Sequence, residues 1–289
     1  MSAALQQWHG RGARLEVPGT AGTRIWREGD GPAVVCLHGV PASAYLYRKV
    51  LPELAARGLE GIALDLQGLG FSDRPEHFDY SWTGLSGWLE KALDAAGIGD
   101  LHLVVHDIGG PVGFDLIRRN PARIRSLTVL NTITKVASFT KPLVMRPFEY
   151  RGAGEAMVRS MNSPMVGPFM RWKGTNNTPT FAELRVYGEL LTHGDGGKAF
   201  LQVMRNFEAN AQFESRILPV LAEREFPAQI VWSRGDPELT AEPFGAMAKE
   251  ALGLETDIHL VEGKHFLQED SFAEIAERVA LLVDAGTDI

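Results

Sequence analysis

The sequence has a single cysteine among its 289 residues, and this excludes a fold held together by internal disulfide bonds. Cys36 lies in an apolar run that is typical of a buried strand, so we expect a core thiol at this position. Basic residues are not in excess either, since the net charge is −7 and the pI is about 5.7. Nucleic-acid binding requires a basic face, and attraction to anionic lipid requires positive charge. Neither kind of partner is expected.

Long apolar runs are also missing from the chain. No run is long enough to span a bilayer, and the first residues lack the apolar core of a signal peptide. Hydrophobic residues make up 45% of the chain and charged residues 22%, which is ordinary for a soluble globular protein. We therefore predict no membrane partner and a cytoplasmic location. The sequence gives no prediction of oligomeric state.

Strand-like apolar runs alternate with amphipathic stretches over most of the chain. Strands are predicted at residues 32–38, 58–66, 101–107, 124–131, 228–232 and 256–261. Helices are predicted at residues 45–56, 83–96, 112–120 and 271–283. This alternation predicts an α/β fold, with a mostly parallel sheet and helices on both of its faces.

The alternation stops after residue 131 and returns at residue 228, with helix-like sequence between. We predict that residues 133–216 form an inserted helical cap, or lid, and that residues 1–132 and 217–289 form the core. Such a cap would cover the carboxyl ends of the strands, where ligands bind in open α/β sheets. Large apolar side chains in the cap predict either a pocket cover or internal packing. They are Met145, Phe148, Met157, Met161, Met165, Phe169 and Met170.

An aspartate stands where a strand breaks sharply into a helix, at the position where many hydrolases carry serine. Residues 104–110 read Val-Val-His-Asp-Ile-Gly-Gly, so Asp107 ends an apolar run and small residues follow it. Asp236 and His265 also follow strand-like runs, so all three would meet at one edge of the sheet. Singly, they could be a helix cap, a turn residue and a surface or core histidine. Their order and shared placement favour nucleophile, acid and base.

Carboxylate chemistry at Asp107 would differ from serine chemistry. With an unperturbed pKa of about 3.9, the carboxylate is ionised at neutral pH and attacks saturated carbon without a base. We expect an ester at Asp107, hydrolysed by water that His265 deprotonates, with Asp236 orienting the imidazole. This chemistry requires neither a metal nor an organic cofactor, and its partners are a small apolar organic substrate and water. The absence of a Gly-x-Ser-x-Gly elbow argues against a serine esterase.

The turn at residues 38–41, His-Gly-Val-Pro, follows a predicted strand. The backbone N–H of Val40 can join that of Ile108 to form an oxyanion hole for negative charge that develops on the ester. The alternative is a turn that serves only the strand-to-helix geometry.

These motifs resemble the α/β-hydrolase superfamily, in the branch of haloalkane dehalogenases and epoxide hydrolases. The resemblance rests on residues 38–49, 65–75, 105–110 and 263–266 and covers nearly the whole chain outside the cap. It implies the nucleophile, base and acid roles given above, and Asn131 at the end of the next strand, not being a carboxylate, favours Asp236 as the acid. The activity implied is hydrolytic cleavage of a carbon–halogen bond, with opening of an epoxide to a diol as the alternative. A binder without enzymatic activity is a third reading, which the intact Asp–Asp–His set disfavours.

The sequence departs from the dehalogenase pattern at the leaving-group site. Those enzymes typically carry tryptophan directly after the nucleophile, where this chain has Ile108. A second donor often lies at the position of Val40 or in the cap. Trp172 is the only tryptophan of the predicted cap, so it is a candidate halide ligand or a packing residue.

The sequence also departs from the epoxide hydrolase pattern, in which two cap tyrosines generally protonate the opening ring. The cap offers Tyr150 and Tyr187, and Met204 stands near the place expected for the second tyrosine. Tyr187 is therefore a candidate donor, alone or with help from His193, or else an ordinary residue of an amphipathic helix.

Overall fold

The structure is a computed structural model that describes residues 1–161 and 165–287. Residues 162–164, in the predicted cap, and residues 288–289, in the predicted core, lie outside the described residues. The strands are β1 (Ala13–Leu15), β2 (Thr23–Glu28), β3 (Ala33–Leu37), β4 (Glu60–Leu64), β5 (Leu101–Asp107), β6 (Ile124–Thr132), β7 (Ala228–Ser233) and β8 (His259–Val261). They form one sheet in the order β1-β2-β4-β3-β5-β6-β7-β8.

Helices surround this sheet and fill the segment between β6 and β7. They are α1 (Ala3–Arg11), α2 (Val50–Ala55), α3 (Trp82–Ala95), α4 (Gly109–Arg119), α5 (Ala153–Ser160), α6 (Val166–Lys173), α7 (Phe181–Thr192), α8 (Lys198–Arg205), α9 (Ala211–Ala222), α10 (Ala246–Ala251), α11 (Leu267–Asp270) and α12 (Phe272–Thr287). One group consists of α3, α4 and α9, and α2 and α12 form another. Among the described residues, no helix is long and apolar enough to cross a membrane.

The centre of the sheet is parallel, as the alternation of strands and helices predicts. β5 pairs in parallel with β3 and β6, and all seven of its residues are buried. A parallel strand that is covered on both faces has a continuous apolar sequence. This pattern is what predicts β5 from the sequence. Cys36, in β3, is buried and has no disulfide partner. The antiparallel strands β1 and β2 extend the sheet at one edge and were not predicted.

The helix predicted over residues 45–56 is divided in two. A 3-10 helix covers Ala44–Tyr47, and α2 begins only at Val50. Pro52 has no N–H to donate to the carbonyl four residues earlier, which disfavours one continuous α-helix through the two turns.

The segment between β6 and β7 is helical, with four α-helices before α9. α6 packs on α7, and α5 contacts both α7 and α8. The predicted cap boundary at residue 216 falls inside α9, which begins at Ala211 and packs on α4 beside the sheet.

Candidate active site

Asp107 stands at a strained turn between β5 and α4. Its φ is 51°, a left-handed conformation that non-glycine residues seldom adopt, and such strain is concentrated at functional sites. Glycines make the turn sterically feasible. A Cβ at Gly109 would lie 2.6 Å from the Leu37 carbonyl oxygen, and one at Gly110 would lie 1.9 Å from the Thr132 hydroxyl. The turn presents the Asp107 carboxylate to the cavity at the end of the sheet.

Two backbone N–H groups hold the Asp107 carboxylate. The Val40 N–H donates to Oδ1 over 2.7 Å, and the Ile108 N–H also donates to the carboxylate. Gly39 permits this approach, because a Cβ there would lie 2.1 Å from Asp107 Oδ1. The structure thus brings together the two N–H groups that the sequence nominates for an oxyanion hole, and in the free protein they bind the nucleophile itself.

The buried side chain of His38 stabilises the turn at residues 38–41. The sequence pattern does not predict this role. Nε2 of His38 accepts the Leu66 N–H over 3.0 Å, so the ring proton is on Nδ1, which lies 2.9 Å from the Gly39 carbonyl oxygen. Burial lowers the pKa of His38 to about 4, so the ring is neutral at physiological pH. His38 therefore stabilises the turn that carries the Val40 N–H without adding charge to it.

His265 lies between the two carboxylates. Its Nδ1 is 2.9 Å from Asp236 Oδ2, and its Nε2 is 3.7 Å from Asp107 Oδ2. The first distance is a hydrogen bond and the second is not. The imidazole is therefore oriented by Asp236 and faces Asp107 with its other nitrogen. This is the arrangement that a base needs to deprotonate water beside an ester at Asp107.

Asp236 is held by more groups than the sequence suggested. The side-chain amide of Asn131 donates to its Oδ2 over 2.7 Å, and the backbone N–H groups of Glu238 and Leu239 donate to its Oδ1. Asn131, at the end of β6, is a neutral donor beside the acid rather than a second acid. Its place beside β7 follows from the strand order, which the sequence alone does not give.

The charges in this cluster are strongly coupled. Burial by itself lowers the pKa of His265, but Asp236 and Asp107 outweigh burial and raise it to about 9. Burial raises the pKa of Asp107, while His265 and the backbone N–H groups oppose that rise. Burial also acts to raise the pKa of Asp236, yet His265 and the hydrogen bonds hold it below its usual value. An ester at Asp107 would remove one of these negative charges, so the pKa of His265 would fall and more of the imidazole would be in the neutral form that can accept a proton.

The Asp107 carboxylate and His265 line a cavity between the core and the cap. With its mouth and the adjoining solvent included, the cavity holds about 910 Å³ of empty space. Among the described lining residues, the other charged ones are Lys141, Lys173 and Glu238. Most of the rest of the lining is apolar, and much of it comes from the cap: Met145, Phe148, Met157, Met161, Phe169, Met170, Met204 and Phe207. In the described part of the chain, no group of three or more His, Cys, Asp or Glu side chains is placed to hold a metal ion.

The sequence of this chain matches a known protein family over most of its length. The family described as alpha/beta hydrolase fold matches residues 32–272. This chain belongs to that family. A haloalkane dehalogenase of Psychrobacter cryohalolentis is 29% identical to this α/β hydrolase over 261 residues, covering 86% of this chain and 82% of the relative. A haloalkane dehalogenase of Mycolicibacterium paratuberculosis is 26% identical over 254 residues, covering 86% and 83% of the two chains.

Solved structures share the fold of this α/β hydrolase. The haloalkane dehalogenase DbeA of Bradyrhizobium elkani superposes with a TM-score of 0.78 at 23% identity, covering 96% of this chain and 98% of that chain. An epoxide hydrolase of Vigna radiata superposes with a TM-score of 0.74 at 21% identity, covering 95% and 97%. The fold and the hydrolase class are thereby established, in agreement with the sequence resemblance.

Trp172 does not lie where a halide ligand would. Its side chain is 66% exposed, and it is not part of the cavity lining of this α/β hydrolase. On α6, Met170 is buried and lines the cavity, whereas the indole two residues later packs under the Lys173 ammonium, 4.7 Å from the ring centroid. Of the two alternatives that the sequence leaves open for Trp172, its position outside the cavity lining favours a packing residue over a halide ligand.

Tyr187 is buried, but it also lies outside the cavity lining. Its hydroxyl donates to the fully buried carboxylate of Glu269, and its ring stacks on Phe266. Burial and the Glu269 charge raise the pKa of Tyr187 well above its usual range. Of the two alternatives that the sequence leaves open for Tyr187, the contact with Glu269 favours an ordinary residue of the helix over a leaving-group donor. Tyr150, the other tyrosine considered, is 64% exposed.

Proposed function

We propose that this α/β hydrolase cleaves carbon–halogen bonds of small apolar molecules with water, through a covalent ester at Asp107. The observation that carries this proposal is the asymmetric environment of one carboxylate. Oδ1 accepts the Val40 N–H, whereas Oδ2 faces His265 from 3.7 Å in an apolar cavity. The relatives named haloalkane dehalogenases support the same reaction.

In the first step, Asp107 Oδ2 supplies the electron pair for a new bond to carbon. The carbon–halogen bond breaks, and the halide leaves with its bonding pair. The attack needs no base, because the carboxylate is already the nucleophile once ionised. The apolar lining provides little water to solvate the carboxylate, which favours its attack on carbon.

In the second step, His265 Nε2 takes a proton from water, and the water oxygen attacks Asp107 Cγ. Negative charge develops on Oδ1, where the Val40 N–H donates, and the Ile108 N–H lies beside the same carboxyl group. Asp236 stabilises the imidazolium over its 2.9 Å contact. When the intermediate collapses, the alkoxide takes the imidazolium proton and leaves as an alcohol. The proton of the regenerated carboxylic acid passes to solvent.

We also propose a division of the chain into a core and a cap. The core consists of residues 1–132 and 211–289 and supplies the reacting groups, and residues 133–210 form the cap that supplies most of the apolar lining. The boundary is moved from 216 to 210 because α9 starts at Ala211 and packs beside the sheet. A cytoplasmic location belongs to the proposal as well, since one buried cysteine suits a reducing compartment.

Epoxide hydrolysis receives less support from the cavity. Its expected donors are cap tyrosines, but Tyr187 is bound to Glu269 and Tyr150 points to solvent. Among the described lining residues there is no tyrosine.

A substrate panel tests the proposal directly. Purified protein is incubated with bromoalkanes and chloroalkanes, with halogenated carboxylic acids, and with epoxides, and halide, alcohol and diol are measured. We expect halide and alcohol in a one-to-one ratio from the haloalkanes, and no release by Asp107→Asn. Diol formation from epoxides without halide release from any haloalkane would refute the proposal.

A further inference from the structure

A departing halide needs a hydrogen-bond donor, and the expected ones are absent from the cavity. The side chains of Val40 and Ile108 cannot donate. Trp172 is exposed, and the Tyr187 hydroxyl is already bound to Glu269. The cavity must therefore stabilise the anion with a different group.

Lys141 is a cation in the cavity lining, contributed by the cap. Its side chain is only 11% exposed, and its Nζ lies 4.4 Å from the centroid of the Phe207 ring. One of its three N–H groups donates to Glu149 over 2.7 Å. No other hydrogen bond from this ammonium is made within the described part of the chain, so two of its N–H groups have no protein acceptor there.

Lys173 is the second lysine among the described lining residues, but its partner makes it a poor anion ligand. Its Nζ donates to Glu238 over 2.9 Å, and Glu238 itself lines the cavity. A carboxylate at that position would repel a departing halide. Glu149, the partner of Lys141, is not part of the lining, so its charge is farther from the cavity.

The direction of displacement also favours a donor on the cap. In a displacement at saturated carbon, the leaving group departs on the side opposite the attacking oxygen. Asp107 attacks from the end of β5 in the core, so the halide leaves toward other parts of the cavity wall. Lys141 belongs to the segment after β6 that forms part of that wall, together with Phe139 and Met145.

We propose that the Lys141 ammonium is the leaving-group ligand of this enzyme. As the carbon–halogen bond breaks, the electron pair goes to the halide, and the ammonium donates a hydrogen bond to it without losing its proton. The ion pair then separates when the halide diffuses to solvent. This inference rests on the proposed dehalogenation, and it assigns a catalytic role to a residue outside the sequence motifs.

Leaving-group dependence tests the proposal, with Lys135→Met as the matched control, because Lys135 is also paired with a glutamate but does not line the cavity. Chloride concentrates its charge more than iodide does and needs more stabilisation. Lys141→Met should therefore slow chloride release about ten- to hundredfold and iodide release less. Lys141→Arg should restore much of the chloride rate. Lys135→Met should leave the chloride-to-iodide ratio as in the wild type. An equal effect of Lys141→Met on both halides, or none on either, would overturn the assignment.

Chloride binding separates this inference from the proposed reaction. Broadening of the chloride-35 NMR signal, measured with the folded protein and no substrate, should decrease in Lys141→Met and persist in Lys135→Met. Glu149→Gln should retain or strengthen it, because a competing carboxylate is removed. If no haloalkane is hydrolysed but the chloride signal follows this pattern, the reaction is wrong and the anion site stands. A chloride signal that does not change in Lys141→Met, or that weakens in Glu149→Gln, overturns the site.

Discussion

The two walls of the cavity are built in opposite ways. On the core side, backbone N–H groups, glycines and the His265–Asp236 pair fix the position of one carboxylate. On the cap side, methionine and phenylalanine side chains predominate, and methionine adapts its shape readily. In the proposed reaction, the core wall supplies the nucleophile, the base and the acid, whereas the cap wall supplies most of the apolar surface and the leaving-group ligand. Substitutions in the core wall should therefore reduce turnover, and those behind the cap wall should mainly reduce stability.

The largest effect is expected at Asp107. Asp107→Asn keeps the shape of the side chain and removes its charge, so the amide cannot displace a halide. We expect turnover to fall by at least about a thousandfold. Halide release by the purified variant measures this, with circular dichroism to show that it is folded. Turnover within tenfold of the wild type would mean that Asp107 is not the nucleophile.

Gly39→Ala should have the next largest effect. The new Cβ would lie 2.1 Å from Asp107 Oδ1, so the turn or the carboxylate must move. A misplacement of about 1 Å can cost roughly a hundredfold in rate. Gly99→Ala is the matched control, because a Cβ there has nothing within 4 Å. If both variants keep the wild-type kcat/KM, the close approach of residue 39 to Asp107 is not needed for the reaction.

The coupled charges predict a pH dependence of stability. The pKa of His265 is raised from 6.5 to about 9 in the folded protein. Its protonated form is therefore favoured by folding, and this contribution is complete below pH 6.5 and is lost as the pH rises through about 9. Over this pH range, the free energy of unfolding should fall further in the wild type than in His265→Gln. The difference between the two decreases should be at most about 3 kcal/mol. Urea unfolding at several pH values measures the two slopes, and parallel slopes would contradict the coupling.

Tyr187→Phe should affect stability rather than chemistry. It removes a hydrogen bond to the buried Glu269 carboxylate, which is worth about 1.5–3 kcal/mol. We expect a lower unfolding free energy and a chloride-to-iodide ratio equal to that of the wild type. Trp172→Phe, at an exposed position, should change neither quantity. A selective loss of chloride release in Tyr187→Phe would return this residue to the leaving-group site.

The sequence was more informative about the core than about the cap. The three site residues lie at or just after the ends of strands: Asp107, Asp236 and His265. A parallel sheet brings the ends of its strands to one edge, so the proximity of these residues follows from the local sequence pattern and the fold. Side-chain direction in the cap depends on contacts distant in sequence. Tyr187 is turned toward Glu269, 82 residues away, and no local pattern reports that contact. Lys141 was missed for the same reason, since it belongs to no motif and reaches the cavity only through the packing of the cap.

The central claim is a covalent ester at Asp107, and its most direct test is intact mass spectrometry of His265→Gln after addition of a bromoalkane. The carboxylate attacks unaided, whereas hydrolysis needs the base, so the variant should accumulate the ester. We predict a mass increase equal to the alkyl group less one hydrogen, located on Asp107 by peptide mapping. Rapid multiple turnover without an adduct, or an adduct on another residue, would contradict it.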